Sequence, residues 1–121
     1  MDQQESLAFI QEYFHQLFDL HNIDALDIYL DSDYFDDDIG DPHIDHIQNS
    51  KEFLKNLFNK TPTLGVDVKD AISRDNVITA YLEWYLTENG TRMTLRKGVA
   101  IFVLRGKKIL KRHTFIYASG E

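Results

Sequence analysis

The hydrophobic rhythm of this chain changes once, at Pro62, and that change limits its fold more than any other feature. Before Pro62 the apolar residues recur at three and four, the spacing of a helix face; after it they alternate, as on a half-buried strand. Leu7, Ile10, Phe14, Leu17 and Phe18 predict a first helix, opened by Asp2 and Glu5 at capping-box spacing. A short second helix is expected from Asn22, its candidate N-cap, with Ile23, Leu26, Tyr29 and Leu30 facing inward. A short strand is expected around 34–38. A third helix follows, capped by Asn49 with Glu52 three residues later; Phe53, Leu54, Leu57 and Phe58 form its apolar stripe. Beyond Pro62, four alternating segments imply a meander, with Asn89–Gly90 as its strongest hairpin signal. The reading is an α+β protein of order α-α-β-α-β-β-β-β, one domain over residues 1–121, with three helices on a bent, mostly antiparallel sheet.

One strand departs from alternation. "VAIFVL", Val99–Leu104, is apolar on both faces: Val99, Ile101 and Val103 on one, Ala100, Phe102 and Leu104 on the other. A strand apolar on both sides needs cover on both. Three helices can cover one face, so the other, with Phe102 and Leu104, is expected to meet a second copy of the chain in a homodimer.

Composition narrows the function. Residues 1–50 hold thirteen of the 20 acidic residues and no Lys or Arg, so all thirteen basic residues follow. The net charge of −7 argues against nucleic acid as a partner, because neutralising phosphates takes a basic surface. With no cysteine, disulfides, thiol nucleophiles and zinc–thiolate sites are excluded. The start "MDQQESLAFI" has no basic residue ahead of its apolar ones, and no apolar run is long enough for a bilayer, so a cytoplasmic protein with no membrane partner is expected.

The densest feature is "DSDYFDDDIGDPHIDH", Asp31 to His46, with seven aspartates and two histidines. As a metal site it lacks a pattern. The calcium-loop spacing D-x-[DN]-x-[DN]-G fails from Asp31 and from Asp36, and Asp41, His43, Asp45 and His46 match no other ligand motif. A solvated acidic loop without metal is the expectation. Residues 36–38 are three consecutive aspartates, and alternation sends inward either Asp37 or Asp36 and Asp38 together.

The longer stretch "YLDSDYFDDDIGDPHIDHIQNSKEFL" resembles a pattern of the nuclear transport factor 2-like superfamily, in its SnoaL-like and ketosteroid isomerase-like branch. The shared elements are a helix end, an acidic pair, a short strand, a D-P-x-G-like turn and a helix carrying E-F. With the α-α-β-α-then-strands order, the resemblance covers the whole chain. It implies a cone-shaped α+β barrel with an apolar pocket between helices and sheet, taking a small hydrophobic molecule. Members include isomerases, cyclases and dehydratases that use acid–base chemistry without a cofactor, and also non-catalytic binding domains. Aligned without gaps, the isomerase base falls on Asp37 and the oxyanion-binding tyrosine on Tyr13. The second oxyanion donor falls on Val99, which cannot donate a hydrogen bond. SnoaL-like cyclases often carry an acid on the last strand, where this chain has Arg112, His113 and Thr114.

The same alignment implies a pocket lined by Leu82, Trp84, Val99, Arg112, Thr114 and Ile116. Asp37 at its mouth would gain strength as a base through desolvation. Tyr13, on the helix face of Ile10 and Leu17, would be a core residue with its hydroxyl at the rim or a donor to ligand. Arg112 would pair with the carboxylate, hold a ligand anion or reach solvent, and His113 would face the dimer interface. The functional expectation is binding, with or without isomerisation or cyclisation, of a small hydrophobic molecule; the alternative is a non-catalytic dimeric domain of the same fold.

Overall fold

The structure, a computed structural model, describes residues 1–119. Helix α1 spans Gln3–Phe14 and is closed at its start by a reciprocal cap. The Asp2 carboxylate accepts the Glu5 N–H at 2.8 Å, and the Glu5 carboxylate accepts the Asp2 N–H at 3.1 Å. The helix widens into a π-type turn over His15–Asp19 that keeps Leu17 buried. A tight turn at Ile23–Ala25 leads into α2, Leu26–Tyr29, a single turn without a side-chain cap from Asn22. Strand β1 covers Leu30–Asp36, longer and earlier than expected.

Helix α3 spans His46–Lys60 and starts ahead of Asn49, because Asp45 is the cap. Its carboxylate accepts the N–H groups of Ile47 and Gln48, each at 3.1 Å. Leu54 and Phe58 are buried at 7 % exposure each, whereas Phe53 is 62 % exposed. The stripe that packs on β1 runs through positions four apart and leaves Phe53 outside it.

Strands β2 (Gly65–Arg74), β3 (Val77–Glu88), β4 (Thr91–Arg105) and β5 (Lys108–Ser119) form the meander. The sheet order is β1-β5-β4-β3-β2, with β1 parallel to β5 and all other pairs antiparallel. Asn89 and Gly90, at φ 50° and 78°, make the tight β3–β4 turn in the left-handed region. No helix of the described residues is long and apolar enough to cross a membrane.

The helices cover one sheet face, and two bulges decide which residues lie beneath them. From the Asn89–Gly90 turn the pairing runs Glu88↔Thr91 to Tyr85↔Thr94, then shifts so that Trp84 pairs with Arg96 and Leu82 with Gly98. Leu95 is the extra residue. A second shift, between Leu104↔Ile109 and Val103↔Lys111, leaves Leu110 extra. Each inserted residue turns the following side chains to the opposite face. The two shifts cancel between β3 and β5 and invert β4 alone.

Hence Leu82, Gly98 and Ile116 share the inner face, as do Ala80, Ala100 and Thr114, and Ile78, Phe102 and Arg112. This reverses the expectation for β4. Phe102 is fully buried beneath the chain's own helices, with Tyr13 and Phe14 rings edge-on at 6.0 and 6.2 Å. Leu104 is also buried. Val99, Ile101 and Val103 face outward instead, beside Tyr81 and Phe115.

Candidate functional site

The aspartates of the acidic stretch are backbone caps before they are anything else. Asp31, Asp36 and Asp41 each accept, through Oδ1, the N–H two residues on (Asp33, Asp38 and His43), all at 2.9 Å. Asp45 does the same for Ile47 at the start of α3. A short side chain that bonds its own backbone two residues later favours turns over regular structure. Among the described residues no three potential metal ligands converge.

Of the three consecutive aspartates, Asp36 faces the interior. It is 4 % exposed, while Asp37 is exposed and its backbone N–H pairs with the Arg112 carbonyl at 3.0 Å. The base expected at Asp37 is therefore outside the core, because β1 ends in parallel register with Asp36 opposite Arg112. The interior carboxylate meets the arginine directly: Arg112 Nη2 donates to Asp36 Oδ2 at 2.8 Å, with Asp38 Oδ2 at 3.7 Å. Asp38 also accepts the Thr114 N–H, at 3.1 Å, and stands 3.6 Å from His113 Nε2.

Two phenols complete this cluster. Tyr13 of α1 and Tyr34 of β1 are buried at 5 % and 6 % exposure. Burial raises the pKa of each above 10.0; the Arg112 charge opposes the shift and Asp36 adds to it. Both are thus neutral donors at any physiological pH. Burial works against the charge of Arg112 as well, but the hydrogen-bonded Asp36 carboxylate keeps the guanidinium protonated. Three side-chain polar atoms are buried with no partner among the described residues: Arg112 Nε and Thr114 Oγ1 in this cluster, and Ser6 Oγ on α1. Arg112 keeps 31 % of its side chain exposed, so the cluster opens to solvent on that side.

An apolar platform lies two rows along the same sheet face. Gly98 has no side chain, and the Trp84 ring and Ile116 close over it. A Cβ there would stand 3.0 Å from Trp84 Cζ3, 3.2 Å from Ile116 Cδ1 and 2.4 Å from the Phe115 carbonyl. Between platform and cluster the inner face of β3, β4 and β5 carries only Ala80, Ala100 and Thr114. From Arg112 to Ile116 is four residues of strand, about 13 Å.

The structure therefore gathers Tyr13, Leu82, Trp84, Arg112, Thr114 and Ile116 on the helix side of the sheet. It excludes Asp37 and Val99, the latter because Val99 pairs with outward-facing Phe115. Asp36 is the alternative that alternation leaves open beside Asp37, and it alone of the pair Asp36 and Asp38 is buried; Tyr34 and Gly98 join the set without having stood out in the sequence. Asp36 had a signal in the alternation within the aspartate triplet, and Tyr34 shares its parity; Gly98 had none. Two open surface concavities, of about 480 and 300 Å³, lie elsewhere. One is at the β3–β4 hairpin around Arg92 and Met93, the other between Phe18, His21, Leu64 and Tyr85.

Comparison with known proteins places this geometry. The family model described as SnoaL-like domain matches residues 10–112. A SnoaL-like polyketide cyclase from Agrobacterium tumefaciens superposes with a TM-score of 0.71 at 17 % identity, over 92 % of this chain and 91 % of that one. TsrD from Streptomyces laurentii gives 0.71 at 14 % identity over 93 % and 88 %. An LEH-like epoxide hydrolase of M. tuberculosis gives 0.65 at 13 % identity over 95 % and 84 %. At such identities the likeness is one of fold: three helices on a bent, five-stranded mixed sheet, the cone of the nuclear transport factor 2-like superfamily. No curated protein matches the sequence.

Proposed function

The chain belongs to the SnoaL-like domain family, and from that premise we propose that it binds a small, mostly apolar molecule along the inner face of its sheet. The apolar body lies against Trp84, Leu82 and Ile116, and the polar end meets Tyr13, Tyr34, Thr114 and Arg112. The observation that carries this reading is the pair of buried, unpartnered atoms, Arg112 Nε and Thr114 Oγ1, on the strand that also holds Ile116. Buried polar groups without partners are uncommon and call for an occupant. The neighbouring phenols are neutral donors, and Asp36 and Asp38 already offset the arginine charge, so the group that fits is a neutral acceptor such as a carbonyl rather than a carboxylate.

Binding is favoured over turnover by the state of Asp36. Both its oxygens are engaged, one by the Asp38 N–H and the other by Arg112. Neither oxygen is then open to take a proton from a ligand. Acid–base isomerisation or cyclisation through Asp36 and Tyr13 would require the ligand to displace Arg112.

The outer face is the proposed homodimer surface, now through Val99, Ile101 and Val103 with Tyr81 and Phe115, the last two 38 % and 50 % exposed. A charge at its centre, Ile101→Glu, is expected to turn a dimer into a monomer in sedimentation. A wild-type monomer at micromolar concentration would remove the proposal.

Native mass spectrometry of the purified protein tests the ligand reading, supported by melting shifts with a panel of bicyclic ketones and matched carboxylates. Ketones are expected to stabilise the protein more than the carboxylates. Trp84→Leu should weaken ketone binding roughly tenfold, the scale of losing one aromatic contact. If neither class shifts the melt and no adduct appears, the alternative stands: a non-catalytic dimeric domain.

A further inference from the structure

His46 answers a need created by the sheet's edge. Strand β1 has a neighbour, β5, on one side only. In that pairing the Asp37 N–H reaches the Arg112 carbonyl, so the preceding Asp36 N–H points the other way, to the open edge. An edge N–H beside a buried residue needs an acceptor. The His46 ring supplies it: Nδ1 lies 3.2 Å from the Asp36 nitrogen. The opposite ring atom, Nε2, lies 2.6 Å from the Asp41 carbonyl oxygen.

These partners have fixed polarity. A backbone N–H only donates and a carbonyl only accepts, so Nδ1 carries the lone pair and Nε2 the proton. His46 is 5 % exposed and packed on Phe35, with ring centroids at 4.5 Å. It is also the first residue of α3, so one side chain ties together the strand end, the 37–45 loop and the helix start.

We infer that neutral His46 is the positioning residue for Asp36, and that protonating Nδ1 releases the site's carboxylate from its place. The cation would set an N–H against the Asp36 N–H and remove its acceptor there. The charged groups around the ring are Asp36 at the end of β1 and Asp38 just beyond it, with Arg112 of β5 behind them, Lys111 of β5 over the Phe35 ring at 5.9 Å, and Asp41 and Asp45 in the loop. Asp36 and Asp38 are engaged with Arg112, and the other two with backbone N–H groups. The protein-level claim stands without any ligand; its bearing on function rests on the proposed binding site.

Nitrogen-15 NMR of the full chain tests it without ligand, so that failure here is distinct from failure of the binding reading. A long-range ¹H–¹⁵N spectrum is expected to show the Nε2–H tautomer of His46. On acidification, the Asp36 amide and the Arg112 Nε–H resonance should move with the same midpoint as the His46 ring. In His46→Gln, whose side-chain oxygen accepts without titrating, both signals should persist and that midpoint should vanish. In His46→Phe the Asp36 amide should exchange at least tenfold faster while Ala80 is unchanged. An Nδ1–H tautomer, or an Asp36 amide indifferent to the His46 titration in the wild-type chain, would overturn the inference. The wild-type titration decides alone if a variant does not fold.

Discussion

Strand β1 and the turn that follows it carry the same acid–arginine arrangement twice, and the two copies are put to different ends. Asp31-x-Asp33 meets Arg105 at the end of β4; Asp36-x-Asp38 meets Arg112 on β5. In each, the first carboxylate caps the N–H of the second and also receives the guanidinium. Arg105 makes a fork: Nε donates to Asp31 at 3.0 Å, and Nη2 reaches both Asp31 and Asp33. Its side chain is 53 % exposed. Arg112 makes one close contact, is buried further, and leaves Nε without a partner. A forked pair whose guanidinium reaches solvent closes on itself and staples two strands, even with its Asp31 carboxylate buried. A less complete pair in the interior keeps a buried donor free to recognise something else.

The largest expected effect separates the two copies most sharply. Arg112→Met strands Asp36 in the interior with no counter-charge and should cost about 3 kcal/mol in urea denaturation. Arg105→Met should cost markedly less. Equal losses would mean that burial does not distinguish the clusters. Within the inner copy the partners should be unequal. Asp36→Asn leaves Arg112 facing Asp38 at 3.7 Å, so it should destabilise less than Arg112→Met. The double variant should fall short of the summed losses by about 1 kcal/mol or more, the coupling expected of a contacting pair. Strict additivity would show that the two side chains do not act together.

Smaller effects appear in titrations. Burial lifts the Tyr13 and Tyr34 phenols above 10.0. The stability this contributes is complete below pH 10 and is lost as pH rises through the raised values. Part of the absorbance rise at 295 nm should thus be delayed until unfolding, and Tyr34→Phe should remove a share of that delayed step. The outer copy has the opposite sign. The Arg105 hydrogen bonds, then the Asp33 N–H, hold the Asp31 carboxyl below its ordinary 3.8. Its contribution is present above that value and fades as pH falls through the depressed one. The stability gap between wild type and Asp31→Asn should therefore close in acid, and also narrow in molar salt, because Arg105 is exposed. A gap indifferent to both would make the outer cluster a matter of packing.

What could be read along the chain was whatever depends on near neighbours. The Asp2/Glu5 cap, the Asn89–Gly90 hairpin and the change from period 3.6 to period 2 at Pro62 each rest on contacts within a few residues. Those few contacts, with the number of strands, already define an α+β chain; the cone is what the family resemblance implies. The third helix shows the limit even of local reading. Asn49 and Asp45 are both good caps, and the chain takes Asp45, whose neighbour His46 then meets the open edge of β1.

Face assignment followed a different logic. With apolar residues on both sides of Val99–Leu104, alternation carries no sign. The parity of β4 is set by two inserted residues, Leu95 and Leu110, whose side chains look like ordinary strand residues. Counting without bulges puts β5 right, because two one-residue shifts cancel, and β4 wrong, because only one has acted. The choice of Asp36 over Asp37 is likewise made by the parallel register of β1 against β5, between residues 76 apart in the chain. A side chain's rotation about its strand is free until a neighbour strand docks, so which carboxylate meets Arg112 is a property of the assembled sheet, whereas the supply of carboxylates and arginines to choose from was present in the chain from the start.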